Sequence, residues 1–348
     1  MFVDLLAPPT NDSDLGTLGH YRVISELGRG GMGYVFQALD TKLKRSVALK
    51  VMNPKVASSR NSQKRFVREA RAMAALHHDN VVTIFEVGKS DKTPFMAMEL
   101  LKGQTLEQRN ESGSPLNYQQ IIEYARQIAT GLAFAHEKGI IHRDIKPANI
   151  WIEEGTDRIK ILDFGLALAS TPLDQLSGKL AVIGTPGYLS PEQARSEPLD
   201  DRCDLYSLGA VLYELCTGSL PVLAKSIQGQ LVSIIAKRAK PISQLNAEIP
   251  EELCKLVHQL LRKEPRSRPK SAVSFCEQLS QIEMACDAKS DVAITINNLQ
   301  RGLSDIARKK DRANEHQVAL IQAGSVGESA ELSPDNQHRT CRTPRTSR

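Results

Sequence analysis

Residues 142–149 read His142-Arg143-Asp144-Ile145-Lys146-Pro147-Ala148-Asn149, and a short way further on come Asp163-Phe164-Gly165. Together the two stretches put two carboxylates, an amide and a lysine on two closely spaced loops. Moving a phosphoryl group needs such a set: ligands for a divalent cation, positive charge near the group in transit, and an acceptor for a hydroxyl proton. Short strands are expected near 150–153 and 159–162, on either side of the turn Glu153-Glu154-Gly155-Thr156-Asp157, so a hairpin would separate the two loops.

Towards the N-terminus lies Gly28-Arg29-Gly30-Gly31-Met32-Gly33-Tyr34-Val35. Glycines let a backbone approach phosphate oxygens that a Cβ would hold off. On its own the pattern also fits a dinucleotide-binding turn or an ordinary hairpin. Its context separates these readings: Tyr34–Asp40 reads as a strand, whereas a dinucleotide turn opens a helix. Val47-Ala48-Leu49-Lys50 follows as the next strand. A lysine in an apolar strand is by itself most often an edge residue facing solvent.

Around these motifs the chain changes texture. Residues 1–20 read as a flexible leader, and 21–101 as a mostly β lobe interrupted by one helix at 62–76, with Phe66, Ala70, Met73 and Leu76 on one face. From 102 to 282 long helices dominate: one from Asn117 to a stop at Gly139, then 203–217, 226–239, 251–262 and 271–284. A small β-rich lobe and a larger helical lobe would leave a cleft between them, hinged near Glu99–Lys102. Residues 283–348 read as a tail, helical at 293–321 and disordered from 323.

In this order and combination the motifs resemble those of the eukaryotic-type protein Ser/Thr kinases, most closely the bacterial members with a Gly184-Thr185-Pro186-Gly187-Tyr188 segment, over residues 21–282. The resemblance implies an α+β, two-lobed protein kinase fold using ATP and Mg²⁺. Lys50 would hold the α- and β-phosphates and Glu69 would orient it. Asp144 would take or orient the substrate hydroxyl proton, Lys146 would stabilise the γ-phosphoryl, and Asn149 and Asp163 would coordinate Mg²⁺. Nucleotide would lie among Leu27, Gly28, Gly30, Gly33, Val35, Ala48, Leu101, Trp151 and Leu162, with the backbones of Glu99 and Leu101 at the adenine edge and Met98 as gatekeeper. Trp151 departs from the family's small aliphatic residue and would narrow the pocket floor. Met73, Ile84, His142 and Phe164 match a stack joining the lobes, Asp204 an anchor of the 142–149 loop, and Glu192 with Arg268 a structural ion pair. Serine stands at 190 in place of the usual alanine.

Lys146 with Thr185 points to serine or threonine acceptors rather than tyrosine, so the implied partners are proteins carrying those hydroxyls, with a transient dimer for autophosphorylation. Of Ser170, Thr171 and Ser177, Ser177 is the best-placed acceptor, since Ala181 closes the usual position. A nucleotide-binding fold without catalysis would be marked by loss of Lys50, Asp144 or Asp163, and all three are present. The formal charge of +5 is small for 348 residues, and no stacking aromatic lies among the arginines of 339–348, so no nucleic-acid partner is expected. Six scattered cysteines without a CxxC pair, no signal peptide and no long apolar run read as a cytoplasmic chain with no membrane segment.

Overall fold

The computed structural model of the chain describes residues 5–30, 33–90, 93–113, 115–164 and 186–324. It divides into two units, Met1–Cys286 and Asp287–Arg348.

The N-terminal half of the first unit is one antiparallel sheet. It comprises β1 (Gly16–Leu18), β2 (Tyr21–Gly30), β3 (Gly33–Asp40), β4 (Arg45–Met52), β5 (Ile84–Ser90) and β6 (Thr93–Glu99), in the order β1-β2-β3-β4-β6-β5. Alternation along each strand sorts its side chains between two faces. From β4, Val47, Leu49 and Val51 join one buried cluster with Tyr21, Phe36 and Phe95, while Ala48 and Met52 join a second that continues into the helical half. Lys50 falls on the Ala48 face and is buried, which overturns the solvent-edge reading of a strand lysine.

The leader expected at residues 1–20 instead joins this sheet through β1 and packs on it at Leu5. β1 pairs with β2, and Leu5 and Leu18 are buried in the cluster of Tyr21 and Phe36. Arg22 Nε donates to Asp14 at 2.8 Å across the same edge. Two leucines covering the outer sheet face outweigh the polar, Pro-containing composition of the segment.

Between β4 and β5 stand α1 (Pro54–Ala57) and α2 (Arg60–Ala74), and Phe66, Ala70, Met73 and Leu76 are buried as their spacing requires. The helical half holds α3 (Leu106–Glu111), α4 (Tyr118–Glu137), α5 (Pro191–Ala194), α6 (Arg202–Thr217), α7 (Ile227–Ala236) and α8 (Glu251–Leu260). Helix α4 starts at a capping box in which Asn117 and Gln120 satisfy each other's backbone N–H, and Gly139 at φ 72° ends the turn beyond it. A small sheet, β7 (Gly103–Thr105), β8 (Ile150–Glu153) and β9 (Ile159–Ile161), lies under the hinge.

Asn80 connects the two halves. Its Nδ2 donates to the Ile159 carbonyl at 2.9 Å and to Gln127 Oε1 at 3.1 Å, while its own carbonyl accepts from Ile161 N at 2.9 Å. The last helix, α9 (Ala272–Gly324), covers the expected helices at 271–284 and 293–321. The first unit extends past the expected boundary at 282, because Glu283 accepts from Arg126 at 2.6 Å and Cys286 is buried. Residues 325–348, expected to be disordered, lie outside the described residues.

Candidate active site

The 142–149 loop is fixed from below by a buried carboxylate. Asp204, in the first turn of α6, is fully buried, and its two oxygens accept from His142 N at 2.8 Å and Arg143 N at 2.7 Å. His136 Nε2 lies 2.7 Å from the same group. Burial alone would raise the Asp204 pKa, but the His136 hydrogen bond, the charges of His136 and His142 and the Arg143 N–H together hold it below the ordinary range. Arg143 sits at φ 68°, an uncommon conformation for a non-glycine residue. Two contacts impose it: Asp204 on its N–H and Gln193 Nε2 on its carbonyl at 2.8 Å. Gln193 in turn forms a capping box with Ser190, so the serine at 190 starts α5 and, through Gln193, braces the loop.

On the upper side of this loop the predicted groups converge. Lys146 Nζ is 2.8 Å from Asp144 Oδ2, and Asn149 Nδ2 donates to the Asp144 carbonyl at 2.8 Å and to Oδ2 at 3.0 Å. With its nitrogen committed to Asp144, Asn149 keeps its amide oxygen for another partner. Leu162 N donates to the Asn149 carbonyl at 2.8 Å, and His142 Nε2 lies 2.8 Å from the Leu162 carbonyl, so Asp163 and Phe164 are set directly beside the loop. His142 and Phe164 have ring centroids 4.6 Å apart, and Phe164 shares a buried cluster with Met73 and Ile84. Gly165 lies outside the described residues.

Lys50 Nζ reaches across from β4 to Asp163 Oδ1 at 2.6 Å. Asp163 carries φ 44°, the second strained non-glycine residue beside the cleft. Glu69, expected as the partner of Lys50, lies in α2 with its side chain outside the described residues. Above them, Gly28 pairs with Val35 and Gly30 with Gly33 across the hairpin. A Cβ on Gly28 or Gly30 would meet none of the described residues within 4 Å, whereas one on Gly33 would stand 2.0 Å from the Val51 carbonyl. Packing therefore requires glycine at 33, while at 28 and 30 glycine leaves open backbone for a ligand to approach.

The residues expected around adenine differ in their exposure. Ala48 and Met98 are buried, Val35, Leu101 and Leu162 are half-buried, and Leu27 is exposed. Trp151, on β8 between buried Ile150 and Ile152, points the other way from them, and its Nε1 donates to the Lys102 carbonyl at 3.1 Å. The indole is therefore tied to the hinge. Glu99 is held by its N–H to the Thr83 carbonyl (3.0 Å), by Thr83 N to its Oε1 (2.7 Å) and by Lys160 Nζ to the same oxygen (2.8 Å). The sequence reading missed Lys160, Asn80 and Gln193, all of which act through partners distant in sequence. Thr185, with Ser170, Thr171, Ser177 and Ala181, lies outside the described residues.

The model of the protein kinase domain matches residues 21–282. The chain belongs to the protein kinase family. Among its relatives are the serine/threonine-protein kinase pkn3 of Myxococcus xanthus, 37% identical over 79% of this chain and 52% of that protein, and the serine/threonine-protein kinase PknB of Mycobacterium leprae, 38% identical over 75% and 43%. The chain spans about half the length of these curated relatives. The crystal structure of the Mycobacterium tuberculosis PknI kinase domain superposes with a TM-score of 0.63 at 25% identity, covering 78% of this chain and 99% of that one. The architecture is the protein kinase fold: the β-sheet lobe and the helical lobe described above, with the Lys50–Asp163 pair and the Asp144–Lys146–Asn149 cluster facing the cleft between them.

Among the described residues no helix is long and apolar enough to cross a membrane.

Proposed function

We propose that this chain is a protein serine/threonine kinase that transfers the γ-phosphoryl group of ATP to serine or threonine hydroxyls of proteins. The observation that carries the reading is the convergence of Lys50, Asp163, Asp144, Lys146 and Asn149 on one cleft, from strand β4 and two loops. In the transfer, the substrate oxygen bonds to the γ-phosphorus, the bond from that phosphorus to the β,γ-bridging oxygen breaks, and the hydroxyl proton passes to Asp144. Lys146 places its charge beside the moving group, and Lys50 holds the α- and β-phosphates after exchanging Asp163 for them.

Mg²⁺ fits the donors present. Among the described residues the Asn149 amide oxygen has no partner, and Asp163 has a carboxylate oxygen beyond the one Lys50 holds. Oxygen donors suit this cation, which takes one or two protein carboxylates plus phosphates rather than a dedicated protein cage. Bound there, it would neutralise the β- and γ-phosphate charge. Among the described residues no group of three His, Cys, Asp or Glu could form such a cage.

Adenine would lie between Val35 and Ala48 above and Trp151 below, facing the Glu99 carbonyl and the Leu101 backbone. The Nε of Arg143 is buried without a hydrogen-bond partner among the described residues, which fits a phosphate on the 163–192 segment, with Ser177 as its bearer. A cytoplasmic location belongs to the same proposal, supported by Cys203, Cys216, Cys254 and Cys276 standing outside any disulfide. Incubating the purified chain with γ-labelled ATP, Mg²⁺ and a generic basic protein tests the reading. Label should appear on phosphoserine or phosphothreonine and vanish with chelator; label on tyrosine, or none, would overturn it.

A further inference from the structure

In the second unit, helix α9 presents Leu299, Leu303 and Ile306 at 64%, 66% and 64% exposure. Steps of four and then three residues are those of the a and d positions of a heptad. The sequence carries the same steps back to Ile296 and Val292 and forward to Ala313 and Leu320, with Lys310 and Gln317 the polar residues of the series. A helix with such a seam draws its stability from covering it rather than from intrinsic propensity.

The charge layout indicates what covers the seam. From Ala293 to Ala307 the positions flanking it are Ala293, Thr295, Gln300, Gly302 and Ala307, small or uncharged, so an identical helix can approach closely without like charges meeting. Arg301, Arg308 and Arg312 fall roughly 140–180° around the helix from Leu303, at 3.6 residues per turn. A helix lying on an anionic bilayer needs cations beside its apolar face, within reach of the headgroups. Here three of the five cations between 301 and 312 point away from it, Lys310 falls within the seam itself, and Lys309 alone flanks it. Closing the seam between two helices would bury on the order of 1,500 Å² in total, the size of a stable specific interface.

We propose that α9 beyond Cys286 pairs with the same helix of a second copy as a two-stranded coiled coil. Lys310 at an a position fits two strands, where its stem crosses the seam and its ammonium reaches water, and would be enclosed in a larger bundle. The pairing stands apart from the catalytic reading. Where that reading holds, two catalytic units on one tether phosphorylate each other at high effective concentration.

Sedimentation equilibrium of the full chain over a dilution series tests the pairing, with the double variant Leu299→Asp/Leu303→Asp and the opposite-face control Arg308→Glu. The natural chain and the control should be dimeric, and the double variant monomeric with an unchanged melting temperature of the first unit. If the double variant does not fold, Leu303→Ala should move the dimer midpoint to at least roughly ten-fold higher concentration. A monomeric natural chain, a dimer indifferent to Leu303→Ala, or a dimer lost in Arg308→Glu overturns the proposal. So does co-sedimentation of a monomeric natural chain with phosphatidylcholine–phosphatidylserine vesicles.

Discussion

The two sides of the cleft are held by different means. Below, the 142–149 loop is tied into the helical lobe by Asp204, His136 and Gln193, and those ties are made inside the fold without any ligand. Above, the phosphate side rests on the Gly28–Gly33 hairpin tip, where a Cβ on Gly28 or Gly30 would meet none of the described residues within 4 Å, and on one ion pair between Lys50 and Asp163. The acceptor side is thus preorganised, while the nucleotide side has contacts left to make. Buried hydrogen-bonded anchors cost nothing further at the moment of reaction. An open hairpin can admit and release a nucleotide.

The sharpest way to break this division is to change one carboxylate on each side. Asp163→Asn and Asp144→Asn should each reduce transfer by roughly 10³-fold or more, measured with labelled ATP. They should differ in binding. Asp163→Asn removes the ionised group that meets both Lys50 and the cation, so Mg²⁺-dependent nucleotide affinity falls with activity. Asp144→Asn leaves that affinity near the natural value, because its partners are Lys146 and Asn149. Equal losses of nucleotide affinity would mean that the two sides are not separable.

Next in size is the brace beneath the acceptor side. Arg268 holds both oxygens of Glu192, at 2.6 and 2.8 Å, and also donates to the Arg262, Arg202 and Lys263 carbonyls. Burial would raise the Glu192 pKa, but the Arg268 hydrogen bonds and charge hold it below the ordinary range. Arg268→Ala would leave that carboxylate buried and unpaired, at a cost of about 3–5 kcal/mol. Urea unfolding should register it, and a change under about 1 kcal/mol would show that water reaches Glu192 freely.

A smaller effect is expected on the floor of the nucleotide side. Trp151 is the one tryptophan of the chain, so tryptophan emission reads this position alone. Nucleotide should shift that emission, and Trp151→Leu should weaken ATP by roughly ten-fold through lost base stacking. Trp151→Phe should recover most of the affinity while lacking the bond to Lys102. If Trp151→Phe behaves like Trp151→Leu, the hydrogen bond to the hinge matters more than the ring face.

What the sequence made legible follows the same division. The chemistry-bearing residues stood in short contiguous motifs, because a loop or strand that must present several groups together keeps them close in the chain. The alternation of β4 then placed Lys50 on the cleft face. Of the braces, Asp204 and the Glu192–Arg268 pair were legible through the family resemblance, whereas Asn80, Lys160 and Gln193 were not. Asn80 and Lys160 find their partners across long sequence separations, and an Asn or Lys with a buried, long-range partner reads locally like any solvated one. Leu5 and Leu18 were hidden for a similar reason: they lie in a segment broken by Pro, Asp and Gly, without the periodicity that marks a core strand.

One more effect lies deepest in the helical lobe and tests whether its brace excludes solvent. Lys263 Nζ donates to the Ile234 carbonyl at 2.6 Å and to Tyr206 Oη at 3.3 Å, beside the Tyr206 ring that Arg268 also covers. Burial, followed by the charges of Arg268 and Arg195, pushes its pKa down to about 8. A lysine in the unfolded chain titrates near about 10.4, so between those values the unfolded state binds more protons than the folded one. Stability must therefore rise with pH through that window, and Lys263's share is lost as pH falls through about 8. Lys263→Met has no such group. The stability of the natural chain relative to this variant, taken from urea midpoints, should climb from neutral pH to about pH 10. A difference independent of pH would mean that Lys263 titrates as an exposed lysine and that water enters beneath Tyr206.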